Sequence, residues 1–307
     1  MLQIISGAVM LGLLWGIMTI GVYITYRILD IADLSVEGSI TMGASIAAQA
    51  IFSGINPYAA TFMAFIGGMA AGLVTGLLHT KLKIPALLAG ILTMIALYSI
   101  NLRILGKANL SLLRMDNVYT VFKNMNITNN NFFTSLGLNH LVPIIAVGLI
   151  AILVIISILY WFFGTEIGSS VRATGDNPKM ARAQGINTNN MIILGLVISN
   201  GLVAVSGALI AQQQSFADVQ MGIGSIVIGL ASVIIGEVIF SKTSFLSRLI
   251  SLVLGAVTYR IIIALVLEMG MPANDLKLFT AITVAIALAL PVIRSYIRPL
   301  KNMREGM

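Results

Sequence analysis

The chain has 307 residues, 58% apolar and 9% charged, with a net charge of +7 and a mean hydropathy of +0.99. Soluble domains carry about 25% charged residues, so this composition is that of a polytopic membrane protein. Cysteine is absent, which excludes disulfide frameworks, thiolate metal sites and cysteine nucleophiles. Two histidines, with no HExxH and no phosphate-binding glycine loop, argue against a metal centre and a nucleotide site. The basic excess does not imply nucleic acid, because the Lys and Arg residues flank apolar runs.

The first apolar run, 4–26, has no basic residue before it and no small-residue cleavage site after it, which argues against a cleaved signal peptide. Runs at 57–78, 84–102, 140–163, 191–211, 245–267 and 277–297 are also long enough to cross a ~30 Å hydrocarbon core. Two shorter runs, 38–55 and 223–240, are dense in Gly, Ala and Ser. Small residues permit close helix approach, so both are expected as central helices, with Gly43 and Ala47, or Gly229 and Val233, one turn apart on the packing face. The expected fold is all-α, with about nine membrane spans. The long 103–139 loop is rich in Asn and carries a sequon at Asn126. Leu110, Leu112, Leu113, Phe132 and Phe133 give it something to bury, so it reads as a partly ordered external platform.

Placing 164–190 in the cytoplasm and alternating outward puts twelve Lys and Arg residues inside and five outside, with Arg260 within a span. The positive-inside bias therefore predicts an external N-terminus and a cytoplasmic C-terminus.

An internal repeat is visible. Ala32-Asp33-Leu34-Ser35-Val36-Glu37-Gly38, followed by Gly43, reads against Ala217-Asp218 through Gly224-Ser225-Ile226, followed by Gly229. Leu11-Gly12-Leu13 matches Leu194-Gly195-Leu196, and Val74-Thr75 matches Val257-Thr258, with the offset staying between 183 and 186. The expected organisation is repeat 1 at about 4–102, the external loop 103–139, a connector helix and coupling loop 140–190, repeat 2 at about 191–297, and a tail 298–307. The charge-derived orientation makes the two halves inverted, an arrangement in which solute passes at the repeat interface.

Asp33, Ser35, Glu37 and Gly38 precede or open one short span, and Asp218 precedes the other. Intramembrane carboxylates are costly and tend to be functional. The simpler reading makes them helix-start residues, with Asp33 or Ser35 capping and Glu37 favoured by the dipole of its own helix. Gly43, Gly224 and Gly229 join them as pathway or gate candidates. Arg260 either snorkels towards the outer headgroups, near Glu268, or lines an outer mouth. Gln212, Gln213 and Gln214 read as an interfacial cap, and His79 as part of a basic fringe with Lys81 and Lys83.

Between two apolar runs lies a polar island, Gly164–Asn190. Asn177-Pro178 is a helix-start signal, and Ala181, Ala183 and Gly185 give that short helix a small face. A protein partner could approach such a face closely, so the island reads as a docking element.

The pattern Arg172-Ala173-x-Gly175-x-Asn177-x-x-x-Ala181-x-x-x-Gly185-Ile186 resembles the coupling-loop motif of ABC-importer permeases of the branched-chain amino acid and ribose class. Asp33-Leu34-Ser35-Val36 before Gly38 is similar to the signature of the sugar branch, here with Glu37 inserted, and the overall cast looks most like the subgroup assigned to tryptophan or tyrosine uptake. The resemblance implies a non-enzymatic permease of the bacterial plasma membrane, paired as a homodimer, with no cofactor in this chain. Cytoplasmic ATPase subunits binding ATP and Mg would hold Arg172, Ala173, Gly175, Asn177, Ala181, Gly185 and Ile186, and a substrate-binding protein or lipoprotein would dock outside. An ion- or proton-coupled secondary transporter is the alternative mechanism, and a sugar or nucleoside the alternative cargo.

Overall fold

The computed structural model describes residues 2–123, 141–240 and 244–268, with scattered helical positions between 278 and 289. The sequon, Phe132, Phe133, Lys242, most of the predicted 277–297 span and the tail lie outside the described residues. Helix α1, Leu2–Tyr23, runs into a π-helical turn at Ile24–Ile28. There Leu29 N–H donates to the Ile24 carbonyl and Ile31 N–H to that of Thr25. Asp30, at φ 55°, turns the chain back along the bundle towards α2, Ser35–Phe52. Helix α3, Pro57–Thr80, starts where it does because the Asn56 side chain accepts from Tyr58 N–H and Pro57 needs no donor. Helix α4, Ala86–Leu105, stops at Gly106, whose φ of 70° costs glycine less than any residue with a Cβ.

A short strand β1, Asn109–Ser111, and helix α5, Val118–Lys123, open the 103–139 region. Then come α6, Val142–Gly164, α7, Glu166–Asp176, and α8, Pro178–Ala183. The second half holds α9, Thr188–Gln214, strand β2, Phe216–Asp218, α10, Ser225–Phe240, and α11, Phe245–Glu268. Six of the described helical segments are long and apolar enough to cross a membrane: Ile4–Ile28, Pro57–Thr80, Ala86–Leu105, Val142–Gly164, Thr188–Gln214 and Phe245–Glu268. Helices α2 and α10 occupy the two short, small-residue runs. The expectation of an all-α chain needs one correction: β1 and β2 pair antiparallel, Leu110 opposite Ala217. Three-residue strands carry too little alternation to be read from sequence.

Two groups of helices pack reciprocally. Helix α9 lies against α3 and α2, while α1 lies against α11 and α10, and α1 and α9 touch each other. So the first helix of each half packs on the later helices of the other half. Backbone contact holds these seams. A Cβ at Gly43 would overlap the Ala204 carbonyl on α9, and one at Gly72 would overlap that of Leu196. At the α1–α11 seam, a Cβ at Gly12 would sit 2.9 Å from Val257 Cγ2. Gly43, Ala47, Gly229 and Val233, expected to be packing positions, all lie buried.

The two ends of the bundle differ. At one end β1, β2 and α5 cover the tips of α2, α3 and α9. Leu110 and Leu112 are buried there with Ala211, Ala217 and Val219, whereas Leu113 is exposed. Gln212 accepts from Val118 N–H (3.1 Å) and donates to Thr61 (2.9 Å), so it is a buried tie rather than an interfacial cap. At the opposite end α7 and α8 lie beside the π turn of α1. A Gly43→Leu variant should lose about 3 kcal/mol or more of stability, read as a fall in melting temperature of the purified protein in detergent.

Candidate functional site

Helix α2 begins inside the bundle, not at its end. Its first residues lie beside Asn200, the thirteenth residue of the 27-residue α9, a helix of ~40 Å, so the start sits ~18 Å from one terminus and ~21 Å from the other. Asp33 precedes it and is buried. Its Oδ1 accepts from Ser35 N–H (2.9 Å) and from the Ser35 hydroxyl (2.5 Å), and its Oδ2 accepts from Asn200 Nδ2 (2.8 Å). The Ser39 hydroxyl donates to Asn200 Oδ1 at 2.6 Å, and Asn200 Nδ2 reaches back to the Leu196 carbonyl at 3.1 Å. Gly90 of α4 leaves room for this turn, since a Cβ there would lie 2.8 Å from Leu34 N. A buried carboxylate is tolerated only when its lone pairs are filled in this way.

Helix α10 also begins inside the bundle. After β2 the chain dips inward over 219–224 to meet the first turn of α2. Glu37 Oε1 accepts from Gly224 N–H at 2.9 Å. Gly222 packs against the Glu37 carbonyl, where a Cβ would overlap it. Glu37 therefore caps the opposing helix, not its own. From this meeting point α2 runs towards the strand end and α10 towards the α7–α8 end, where Glu237 Oε1 pairs with Arg27 Nε at 3.1 Å. Gly38, Gly43, Gly224 and Gly229 all lie along these two helices or at their junction.

Beside the junction is a cavity of about 500 Å³ lined by Glu37, Thr41, Met94, Tyr98, Asn101 and Ile223, among others. Asn101 donates through Nδ2 to the Gly38 carbonyl (3.2 Å), while its buried Oδ1 has no partner among the described residues. Asp218 stands apart, at the strand end, accepting from Gln220 N–H (2.7 Å) and Asn109 Nδ2 (3.4 Å). The repeat match thus pairs Asp33 with a residue of different surroundings. Arg260 lies elsewhere again, its guanidinium 4.2 Å from the Trp15 ring centroid, against α1 rather than near Glu268. Its Nε is buried without a hydrogen-bond partner among the described residues.

The polar island folds as two helices. Thr165 caps α7, and Asn177 caps α8 through Met180 N–H at 3.0 Å. Gly168, Val171 and Thr174 turn the inner face of α7 to the bundle. Gly175 is packed on the Ile28 carbonyl, so its lack of Cβ serves a contact within this chain. Ala181 is buried, while Arg172, Ala173, Asn177, Ala183 and Gly185 are exposed and Ile186 is half-buried. Arg172 donates to the Phe163 carbonyl at 2.8 Å and lies over the Phe245 ring. Gly185 takes φ 82° in the turn out of α8. Two basic hollows flank the island. One, of about 690 Å³, is lined by Tyr23, Arg27, Arg172, Asp176 and Arg248 among others. The other, of about 650 Å³, includes His79, Lys83 and Arg182 in its lining. His79 Nδ1 lies 2.9 Å from the Ile84 carbonyl and staples the α3–α4 turn. Among the described residues no group of three His, Cys, Asp or Glu side chains could hold a metal.

The profile of the family described as branched-chain amino acid transport system / permease component matches residues 4–290. The chain belongs to that family. It is 43% identical over 277 residues to a tyrosine transport system permease protein of Clostridioides difficile, covering 90% of this chain and 88% of the relative. It is 32% identical to an uncharacterized protein of Rickettsia prowazekii, covering 88% and 91% of the two chains. Its fold is similar to that of a metal-chelate type ABC transporter in an inward-facing conformation, with a TM-score of 0.50 at 14% identity, covering 95% of this chain and 85% of that one. This permease is thus a multi-pass membrane subunit of ABC-importer type.

Sequence reasoning found Asp33, Ser35 and Glu37 in the permease but missed Asn200, Asn101 and Trp15. Asn200 carried a usable signal: Ser199-Asn200 is a polar pair in the middle of an apolar run. An Asn200→Leu permease leaves Asp33 Oδ2 without its donor and keeps only the Ser35 bonds to Oδ1. It should lose about 3 kcal/mol of stability, whereas Asn190→Leu, at the exposed start of α9, should change melting in detergent little.

Proposed function

We propose that this permease forms the translocation pathway of an ATP-binding cassette importer for an amino acid, with an aromatic amino acid as cargo. The family match carries the importer reading, and the tyrosine permease relative carries the cargo. Two copies pair, each with about nine spans in two inverted repeats, external N-terminus and cytoplasmic C-terminus. The reciprocal packing of α1 and α9, and the opposed directions of α2 and α10, support the inversion. A separate ATPase binds ATP and Mg, and a substrate-binding protein or lipoprotein delivers cargo outside.

In this reading α7 and α8 form the coupling element. The exposed face of Arg172, Ala173, Asn177, Ala183 and Gly185 enters an ATPase groove, while Gly175 and Ala181 seat the element on the bundle. ATP binding favours one arrangement of the two ATPases, and only such a differential contact can shift the permease between its openings. Asp33, Ser35, Glu37, Gly38, Gly43, Gly224 and Gly229 form the mid-span gate region, with Asp218 and Arg260 outside it.

Two measurements test this. Ala183→Arg keeps a good helix former at an exposed position, yet should reduce co-purification of the partner ATPase at least tenfold; unaltered binding would remove α8 from the interface. Because the chain has no cysteine, Lys179→Cys can be labelled alone. An impermeant thiol reagent should leave it unmodified in intact cells and modify it in inverted vesicles. Modification in intact cells would reverse the orientation.

A further inference from the structure

We propose that the cavity beside the α2–α10 junction is a resting place for the ammonium end and apolar side chain of the transported solute, with Glu37 as the group that takes the ammonium. The inference rests on the amino acid importer reading above and adds to it the atoms that meet the cargo.

Glu37 differs from Asp33 in the way that matters. Asp33 is 2% exposed and its oxygens are filled by Ser35 and Asn200. Glu37 is half-buried and lines the cavity. The amide of Gly224 holds its carboxylate in place, and the N-terminus of a 16-residue helix favours its charge. Yet among the described residues the only ion pair is Arg27–Glu237, so no cation answers this carboxylate. Its remaining lone pairs face a space of about 500 Å³.

The walls fit the rest of such a solute. Met94, Ile95, Tyr98 and Ile223 supply an apolar and aromatic surface, on which a ring can stack and a cation can lie. Asn101, 1% exposed, is among the lining residues; its Nδ2 is fixed by its bond to the Gly38 carbonyl, and its Oδ1 is buried with no partner among the described residues. An orphaned buried acceptor of this kind calls for a donor from a ligand or water. A neutral sugar would find a charged acceptor it does not need; an ammonium finds a carboxylate and a ring.

The test uses the full permease in proteoliposomes, with Tyr98→Cys as its only thiol. Rates of modification by a cationic and an anionic methanethiosulfonate are each normalised to reaction with a free thiol. The cationic reagent should be favoured about tenfold or more at this site, and Glu37→Gln, whose amide oxygen still accepts from Gly224, should abolish the preference. In the assembled importer, Glu37→Gln should lower uptake of labelled tyrosine at least tenfold, and Glu37→Asp should restore part of it. An unchanged reagent preference in Glu37→Gln, or tyrosine uptake at the parental rate, overturns the proposal. Failure of the importer reading would show differently: the parental complex would import without ATP, while the reagent preference would still report the site.

Discussion

Two helix N-termini meet in the middle of this bundle, and the rest of the structure is arranged to make that possible. Each terminus presents unpaired amides and a partial positive charge, which neither lipid nor an apolar core can satisfy. Asp33 answers the first, at the start of α2, and Glu37 answers the second, at the start of α10. Asn200 and Ser39 then complete the shell around Asp33. The close glycine seams follow from the same need. Helices that begin at mid-depth expose backbone, and only tight packing against α9 and α1 keeps that backbone from hydrocarbon.

Much of this was legible. The shortness and small-residue content of 38–55 and 223–240 marked α2 and α10 as central, and Asp33 bonds the first amide of α2 from one position before the cap residue Leu34. What could not be read was partnership. Nothing local says that Glu37 bonds the amide of Gly224, 187 positions away, rather than assisting its own helix. Gly175, which the resemblance puts in the coupling element, also packs on the Ile28 carbonyl, a contact that only the fold reveals. Helix α7 was also legible in principle: Gly168, Val171 and Thr174 recur at helical spacing on its inward face within an otherwise polar stretch.

The chain between Ile28 and Asp33 joins the two regions assigned to coupling and gating. Ile28 touches α7 through Gly175, and Asp33 starts α2. Only four residues lie between them, and they include Asp30 in a left-handed turn. If α7 couples to an ATPase as proposed, a connection this short would carry its displacement to the α2–α10 junction through four residues of backbone. The π turn preceding it is the place where the long α1 can change pitch.

The cross-packing of the two halves also bears on how the chain is made. Gly12 finds its seat only against Val257, and Trp15 meets Arg260. At a synthesis rate of about 5–20 residues per second, α1 waits on the order of 12–50 s in the bilayer before α11 emerges. During that interval its glycine face and its indole have no permanent neighbour, so the nascent chain depends on the insertion machinery or on lipid to shield the first helix until the last partner arrives.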